Sequence, residues 1–408
     1  MRTSYFAAIL AFTAVLHAPA AEPAPIQFQK KEIAKDLEIG YAVLLVDING
    51  DGKTDIVVVD AKRVIWYENP SWTVHTIIKG TTWPDNVCID AYDLDGDGKP
   101  ELVLGADWRP FDSKFGGTLQ WLKRGKSLDD PWTSYPIDME PTVHRIHFMD
   151  LHGDGESRLV LGPLMGRNST KENNFMDGQP VRMIAYKIPK DPTKDRWIPE
   201  ILDESLHVVH NFCPVYAPGR KAMDVLTASY EGVSLISRDG DKWKRTLIGE
   251  GNQDNPKSNR GASEVKQGKL KSGKKFIATI EPWHGNQVVV YTEPEDSKQK
   301  LWDRHVVDDR LKWGHAVWCA DLDGDGDDEL IIGVRDNLSD KEGERCGVRI
   351  YKALDDKGTK WSRQIVDEGD INVEDLAVAD LDGDGKPDIV AVARQSHNAR
   401  IYWNQGKK

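Results

Sequence analysis

The chain of 408 residues is poor in cysteine. Its four cysteines, Cys88, Cys213, Cys319 and Cys346, are too few and too far apart to hold a chain of this length together, and no CxxC pair is present. Buried thiols are therefore favoured over disulfide bridges, although an exported protein could form one.

Basic residues are also in deficit. Lysine and arginine number 54 against 66 aspartates and glutamates, which gives a formal net charge of −12 without any basic stripe. This composition argues against a nucleic-acid partner. The sequence contains neither a GxSxG motif nor a recognisable Ser-His-Asp set. Serine hydrolase chemistry is therefore not indicated.

Only one apolar run occurs, at residues 5–16, and it is followed by "APA" before Ala21. This arrangement predicts a secretory signal peptide over residues 1–20 with cleavage near Ala20. The alternative is a membrane anchor, but the run is too short to span a bilayer. We therefore expect a secreted or periplasmic protein that is not attached to a membrane.

Sustained helical periodicity is missing, and an internal repeat takes its place. Each unit has an apolar strand, an Asp-rich loop, a second strand, a third strand ending in an aromatic residue and a fourth announced by Trp. Seven third strands but only six fourth strands can be counted, and "PIQFQKKEIA" near the N-terminus supplies the missing one. The prediction is an all-β, seven-bladed β-propeller of four-stranded blades, forming one domain over residues 21–408 and closed by the N-terminal strand.

The Asp-rich loop follows the pattern DxDGDGxxD/E. Side-chain oxygens at positions 1, 3, 5 and 9, with a carbonyl at position 7 and glycines in the turn, suit Ca²⁺. The alternative is a metal-free turn; an EF-hand is excluded because flanking helices and a Glu at position 12 are missing. The four complete copies comprise Asp47, Asn49, Asp51 and Asp55; Asp93, Asp95, Asp97 and Glu101; Asp321, Asp323, Asp325 and Glu329; and Asp380, Asp382, Asp384 and Asp388.

The copy in the third unit departs from this pattern. His152 stands at position 3 and Arg158 at position 9. The Arg158 guanidinium can pair with Asp150 and Asp154, so we expect this loop to be metal-free. Units four and five lack the motif altogether.

These motifs resemble the FG-GAP/VCBS propellers. The resemblance implies that the calcium loops are scaffold, on the face away from the usual binding surface. The family includes adhesins, lectin-like modules and lyases, so the fold alone does not decide the function. We therefore look for the functional site on the opposite face.

Counting six residues back from the first Asp of each loop gives the predicted start of the innermost strand of that blade. Histidines and carboxylates are frequent there, and such ligands around one axis suit Zn²⁺, with Mn²⁺ and Fe²⁺ as less suitable alternatives. The other interpretation is packing between blades; Glu264 and Glu374 could also form a glycosidase pair. The ring is Tyr41, Val87, His144, His210, Glu264, His315 and Glu374, of which His144, His210, Glu264, His315 and Glu374 are the candidate metal ligands.

The loops after the second strands reach the same face and are rich in Trp and Arg. Trp faces stack on sugar rings, and Arg contacts hydroxyls and carboxylates, so these loops predict a carbohydrate ligand. The candidates are Trp108, Arg109, Arg167, Trp283, Arg335 and Arg394.

In blade number, calcium loops and histidine-bearing inner strands, the chain looks like the propeller domain of aldos-2-ulose dehydratases. That resemblance implies a carbon–oxygen lyase that performs β-elimination on an oxidised (keto) sugar or glycoside. A metal would polarise the keto group, and His284, Tyr230 or His147 would take the proton. The alternative is a non-catalytic, calcium-stabilised propeller that binds a polysaccharide or a protein partner.

Overall fold

The structure is a computed structural model that describes residues 24–217, 219–255, 257–336 and 344–407. The predicted signal peptide, residues 1–20, lies outside these residues. In these described ranges the regular structure consists of strands and one 3₁₀ turn at Lys171–Asn173. Within the described ranges, no helix has the length and apolar character needed to cross a membrane.

The described residues form seven antiparallel sheets of four strands each. The chain begins with β1 (Ile26–Ala34), which belongs to the last blade. Blades one to three are β2 (Gly40–Val46), β3 (Asp55–Asp60), β4 (Arg63–Glu68) and β5 (Thr73–Lys79); β6 (Cys88–Tyr92), β7 (Glu101–Ala106), β8 (Thr118–Lys123) and β9 (Thr133–Met139); and β10 (Val143–Met149), β11 (Arg158–Pro163), β12 (Val181–Lys187) and β13 (Ile198–Leu206).

Blades four to six follow the same order. They are β14 (Asn211–Tyr216), β15 (Met223–Ser229), β16 (Gly232–Asp239) and β17 (Lys242–Gly249); β18 (Glu264–Lys269), β19 (Lys275–Glu281), β20 (Gln287–Thr292) and β21 (Asp303–Asp308); and β22 (Gly314–Ala320), β23 (Glu329–Val334), β24 (Gly347–Ala353) and β25 (Trp361–Glu368). Blade seven contains β26 (Val373–Ala379), β27 (Asp388–Ala393) and β28 (Ala399–Lys407).

Closure of the ring uses the N-terminal strand, as predicted. β1 pairs antiparallel with β28, with Phe28 opposite Asn404 and Lys30 opposite Tyr402. The first and last described strands therefore share one sheet, in which β28 is an inner strand and β1 forms the outer edge, as the fourth strand does in the other blades.

The first strand of each blade contacts the first strands of both neighbours, so β2, β6, β10, β14, β18, β22 and β26 surround a central axis. The second strands, such as β3 and β27, are buried along their whole length and carry β-branched residues that pack between blades. The four cysteines are free thiols, which agrees with the expectation from their number and spacing.

Candidate functional site

A cavity of about 370–390 Å³ lies at each end of the axial channel, and the one at the start of the inner strands contains most of the predicted ring. We call this the axial cavity. Because every inner strand begins at this end, one residue per blade faces the axis at the same height. Six of the seven ring residues line it: Tyr41, Val87, His144, His210, His315 and Glu374.

Three histidines converge in the axial cavity. One ring nitrogen from each of His210, His284 and His315 lies within 4.8 Å of the other two. The Nε2 atoms of His210 and His284 lie 2.7 Å apart. His210 precedes β14 and His315 belongs to β22, so blades four and six supply two members of this histidine trio.

Neighbouring oxygen atoms orient two of these rings. His315 Nδ1 lies 2.6 Å from the backbone carbonyl of Glu374, and His210 Nδ1 lies 2.7 Å from Glu264 Oε1. The hydrogen bond at His315 Nδ1 fixes the proton there and leaves the Nε2 lone pair free to act as a ligand or a base, and the nearby Glu264 carboxylate favours the same tautomer in His210. Glu264 itself is buried and receives a hydrogen bond from Asn211.

Burial keeps the imidazoles neutral. It lowers the pKa of His144, His284 and His315 well below the usual histidine value, and nearby positive groups add to the effect. Burial also lowers the pKa of His210, although the Glu264 carboxylate opposes the shift. The neutral form is the one that binds a metal or accepts a proton. Three neutral nitrogen donors at this separation therefore fit a divalent transition metal.

His284 reaches the trio from the loop after β19. Its backbone φ is +49°, in the left-handed region that non-glycine residues seldom adopt. The ring stacks on Trp283, with centroids 4.0 Å apart and planes 8° from parallel. The sequence alone indicated His284 as a base near the site. Counting back from the Asp-rich loops identifies only residues of the inner strands, so it could not identify His284 as a member of the trio.

His144 belongs to the cavity but not to the trio. Its Nδ1 lies 2.8 Å from the backbone carbonyl of His210, and its ring packs between His210 and Trp108 at centroid distances of 4.7 and 5.2 Å. Its Nε2 has no hydrogen-bond partner among the described residues and is not buried away from solvent. His144 thus presents one free nitrogen at the cavity wall.

The remaining wall combines guanidinium groups with indole rings. Arg394 donates to Glu374 at 3.0 Å, and Arg335 lies 3.8 Å from the same carboxylate. Four of the six predicted carbohydrate contacts line the cavity, namely Trp108, Trp283, Arg335 and Arg394.

The structure places four other predicted site residues elsewhere. Arg167 pairs with Glu140, and Arg109 pairs with Asp107 at the surface. Tyr230 is buried, and its hydroxyl faces Asn174. None of these three lines the axial cavity.

The fourth, His147, lies on β10 beyond the histidine layer. It lines the second cavity of the channel, at the end that carries the Asp-rich loops, together with Glu264. Its Nδ1 lies 3.7 Å from Asp90. His147 therefore cannot reach a ligand held beside the trio, and of the three predicted bases only His284 faces the axial cavity.

The Asp-rich loops lie at the opposite face of the propeller, between the first and second strands. Carboxylate oxygens converge within 4.8 Å in blades two, six and seven, each set drawing on position 1 and position 3. In each complete loop the first aspartate also accepts two or more backbone N–H groups, for example from Gly383 and Gly385 to Asp380. These loops are therefore folded around their acidic side chains.

The carboxylate at position 9 is buried in every complete loop. Burial raises the pKa of Asp55 and Asp388 to about 6, and burial together with Asp323 raises that of Glu329 to about 8. In blade six the Lys352 ammonium pairs with Asp323 and Asp325 and lies 3.6 Å from Glu329 Oε1. A bound cation fits beside these buried carboxylates because it would offset the cost of their charge, and in blade six it would take the place of the Lys352 ammonium.

The loop of blade three is held by side chains instead. Arg158 donates to Asp154 at 2.9 Å, whereas Asp150 accepts backbone N–H groups. The predicted pairing is therefore correct for Asp154 and wrong for Asp150, whose oxygens are engaged by the turn. In blade four, Arg220 pairs with the buried Asp224 at 3.0 Å in the same way.

Comparison with known proteins agrees with the sequence motifs. The profile of the aldos-2-ulose dehydratase β-propeller domain matches residues 116–294, and the FG-GAP-like repeat profile matches residues 47–104 and 321–391. A curated relative, an aldos-2-ulose dehydratase from Phanerodontia chrysosporium, is 28% identical over 309 residues. The match covers 71% of this chain and 33% of that protein, so the chain spans about a third of its relative.

Solved structures share the fold at low sequence identity. One chain of a mitotic checkpoint complex is 12% identical with a TM-score of 0.57, and the match covers 98% of this chain and 100% of that one. A chain in the complex of BBS1N with ARL6DN is 14% identical with a TM-score of 0.55, over 93% and 97% of the two chains. The chain is thus a seven-bladed propeller with FG-GAP-like repeats that is similar to the propeller of a carbohydrate dehydratase.

Proposed function

We propose that the protein is a metal-dependent lyase that performs β-elimination on an oxidised (keto) sugar or glycoside in the axial cavity. The observation that carries the proposal is the convergence of His210, His284 and His315 within 4.8 Å in a cavity lined by indole and guanidinium groups. Its similarity to an aldos-2-ulose dehydratase supports the same class of substrate.

The histidine trio would hold a divalent transition metal such as Zn²⁺. When bound, the metal would supply Lewis-acid polarisation of the keto oxygen, which makes the neighbouring C–H more acidic. Glu264 and the Glu374 carbonyl keep the His210 and His315 rings in the orientation that this requires.

The cavity walls would position the sugar. Trp108 and the face of Trp283 turned away from His284 offer apolar ring surface to a pyranose, while Arg335 and Arg394 offer N–H donors to its hydroxyl oxygens. Both arginines are anchored through Glu374, so their donors are held in place before the ligand arrives.

Proton transfer would fall to His144. Its neutral Nε2 would accept the proton from the carbon next to the keto carbon. The electron pair of that C–H bond forms the C=C bond, the C–O bond at the next carbon breaks, and the oxygen leaves as water or as an alcohol once protonated. This differs from the assignment of His284 as base, because the geometry makes His284 a member of the trio.

The first test measures metal content and activity together. The purified protein is assayed against 2-keto and 3-keto derivatives of glucose and of methyl glucoside by the ultraviolet absorbance of the unsaturated product. We expect turnover of at least one of them, and His315→Ala should lose the transition metal and lower kcat/KM by more than about 100-fold.

The matched control is His305→Ala. His305 lies on β21 and contacts Thr292 Oγ1 at 2.9 Å, far from the axis, so this variant should keep both metal and activity. A protein that contains calcium alone, turns over none of these sugars and binds a glycan equally well as His315→Ala would show the non-catalytic binding function instead.

We also propose that Ca²⁺ occupies the four complete Asp-rich loops and that the protein is exported. The buried carboxylates at position 9 support the first proposal. The second rests on the signal-like residues 1–20.

A further inference from the structure

A second cleft of about 570 Å³ lies between blades one and seven, at the face that carries the Asp-rich loops. We call it the tryptophan cleft, because Trp72 and Trp403 form two of its sides. Their ring centroids lie 5.8 Å apart and their planes are inclined by 59°. At this inclination the rings do not cover each other. Both side chains are half buried against the core shared by blades one and seven, and the Lys31 ammonium lies 5.4 Å from the centroid of the Trp72 ring.

Trp403 differs from its counterparts in the other blades. Its position in the blade is defined by the strand register: Tyr402 pairs with Ile389, which follows the position-9 carboxylate Asp388, and Trp403 is the next residue after Tyr402. The register of the other six blades places a polar residue at the position of Trp403 every time: Glu68, Lys123, Lys187, Ser237, Thr292 and Lys352. A large apolar side chain at a position that is otherwise polar is not required by the fold.

Trp72 is also unusual. A tryptophan stands at or just before the start of six fourth strands, and of these six tryptophans only Trp72 has a positive φ, at +60°. This backbone region is costly for a bulky side chain, and its use points to a functional constraint. The turn is held by a 2.6 Å hydrogen bond from Trp72 N–H to the Glu68 carbonyl.

Unpaired polar groups surround the two rings. Gln29 lies directly opposite Trp403 on β1, and Gln405 follows on β28. Neither amide has a hydrogen-bond partner among the described residues, nor do the indole N–H groups of Trp72 and Trp403, all of which solvent can reach.

We propose that the tryptophan cleft is a carbohydrate-binding site separate from the axial cavity. Indole faces stack on the C–H face of a pyranose, while amide and indole N–H groups hydrogen-bond its hydroxyls. The volume lies in the range of about 300–1,000 Å³ that is usual for small-molecule sites. The site holds part of a polysaccharide, and it raises the local concentration of that polymer around the protein.

The test uses native affinity electrophoresis in gels that contain soluble laminarin, xylan or galactomannan, with Ca²⁺ present. We expect at least one of these polymers to retard the protein. Trp403→Lys should raise the apparent Kd for that polymer at least about tenfold, which corresponds to about 1.4 kcal/mol. Lysine is chosen because it occupies this position in blades two, three and six, so the fold accepts it.

Two controls distinguish binding in the tryptophan cleft from binding elsewhere on the protein. Tyr216→Ala removes an exposed aromatic ring at the loop end of blade four and should be retarded like the parent. His315→Ala should also be retarded, because it affects only the axial cavity; failure of the lyase proposal therefore leaves this one intact. If Trp403→Lys does not fold, the paired change Gln29→Ala and Gln405→Ala should weaken retardation instead.

Three results would overturn the proposal. They are migration unaffected by all three polymers, retardation of Trp403→Lys equal to that of the parent, and a change in the elution volume of Trp403→Lys on size exclusion. The last would make the cleft a contact between copies of the chain.

Discussion

The residue at position 9 differs between the Asp-rich loops. Where position 9 carries a buried carboxylate, as at Glu101 and Asp388, we expect a bound cation to offset its charge. Where it carries Arg158, the guanidinium pairs with Asp154 instead. We therefore expect the residue at position 9 to decide whether a loop needs a metal ion.

The same aspartate should consequently matter in one blade and not in another. Asp97 and Asp154 both stand at position 5 of their loops. We expect Asp97→Ala to lower the calcium content by about one ion per chain, and Asp154→Ala to leave it unchanged, as measured by elemental analysis after dialysis. Equal loss from both variants would show that Arg158 does not replace the metal.

At the residue scale, the sequence predicted the inner-strand ring but not all of the histidine trio. Counting back from the first Asp of a loop works because the first strands have nearly constant length, so His144, His210 and His315 fall at the same height. His284 enters from a loop whose path depends on a positive φ. No periodicity encodes that path, and the position of Tyr230, after β15, could not be predicted for the same reason. His147 was misplaced because it lies further along β10 than the cavity extends.

Among the strands, β1 closes the propeller, because it comes from the N-terminal end of the described chain and pairs with β28 of the last blade. Glu32 on β1 accepts a hydrogen bond from Arg400 on β28 at 2.9 Å and another from Asn398, directly before β28, at 3.1 Å. Burial would raise the pKa of Glu32, but the hydrogen bonds from Asn398, Lys35 and Arg400 outweigh it and lower the pKa to about 2.

This contact should make strand closure sensitive to acid. Because the pKa is lowered on folding, the contribution of Glu32 to stability is complete above about pH 4.5 and is lost as the pH falls towards 2. We expect Glu32→Gln to reduce the free energy of unfolding by about 1 kcal/mol at pH 6, and the difference from the parent to vanish near pH 2.

Urea unfolding at both pH values measures this difference. Glu38→Gln is the matched control, because Glu38 pairs with the exposed Lys62 at the surface and loss of that pair should change little. A deficit of Glu32→Gln that persists unchanged at pH 2 would show that the charge of Glu32 does not hold the strand.

The element pattern itself was predictable. Each second strand follows an Asp-rich loop, and each third strand ends near an aromatic residue, so type and order could be read from the repeat. The N-terminal closing strand could be predicted from a missing fourth strand, and its pairing with β28 is confirmed. The tryptophan cleft could not be predicted, because it depends on how blades one and seven meet.

For the whole molecule, the seven blades form a ring in which each sheet contacts two neighbours. The four complete loops lie in blades one, two, six and seven, which are adjacent around the ring. Blades three and four, across the axis, use Arg158 and Arg220. Blades one, two, six and seven are therefore expected to depend on metal ions, and blades three and four on internal ion pairs.

Removal of calcium should accordingly lower the stability of the whole propeller. An ion that binds only the folded state stabilises it by mass action, and without it the buried Asp55, Glu101 and Asp388 would lose the cation that offsets their charge. We expect excess EGTA to lower the melting temperature in calorimetry by at least several degrees, and added Ca²⁺ to restore it. EGTA-treated protein should also show faster amide hydrogen exchange in blades one, two, six and seven than in blades three and four. A uniform increase around the ring, or an unchanged melting curve, would contradict calcium binding at these loops.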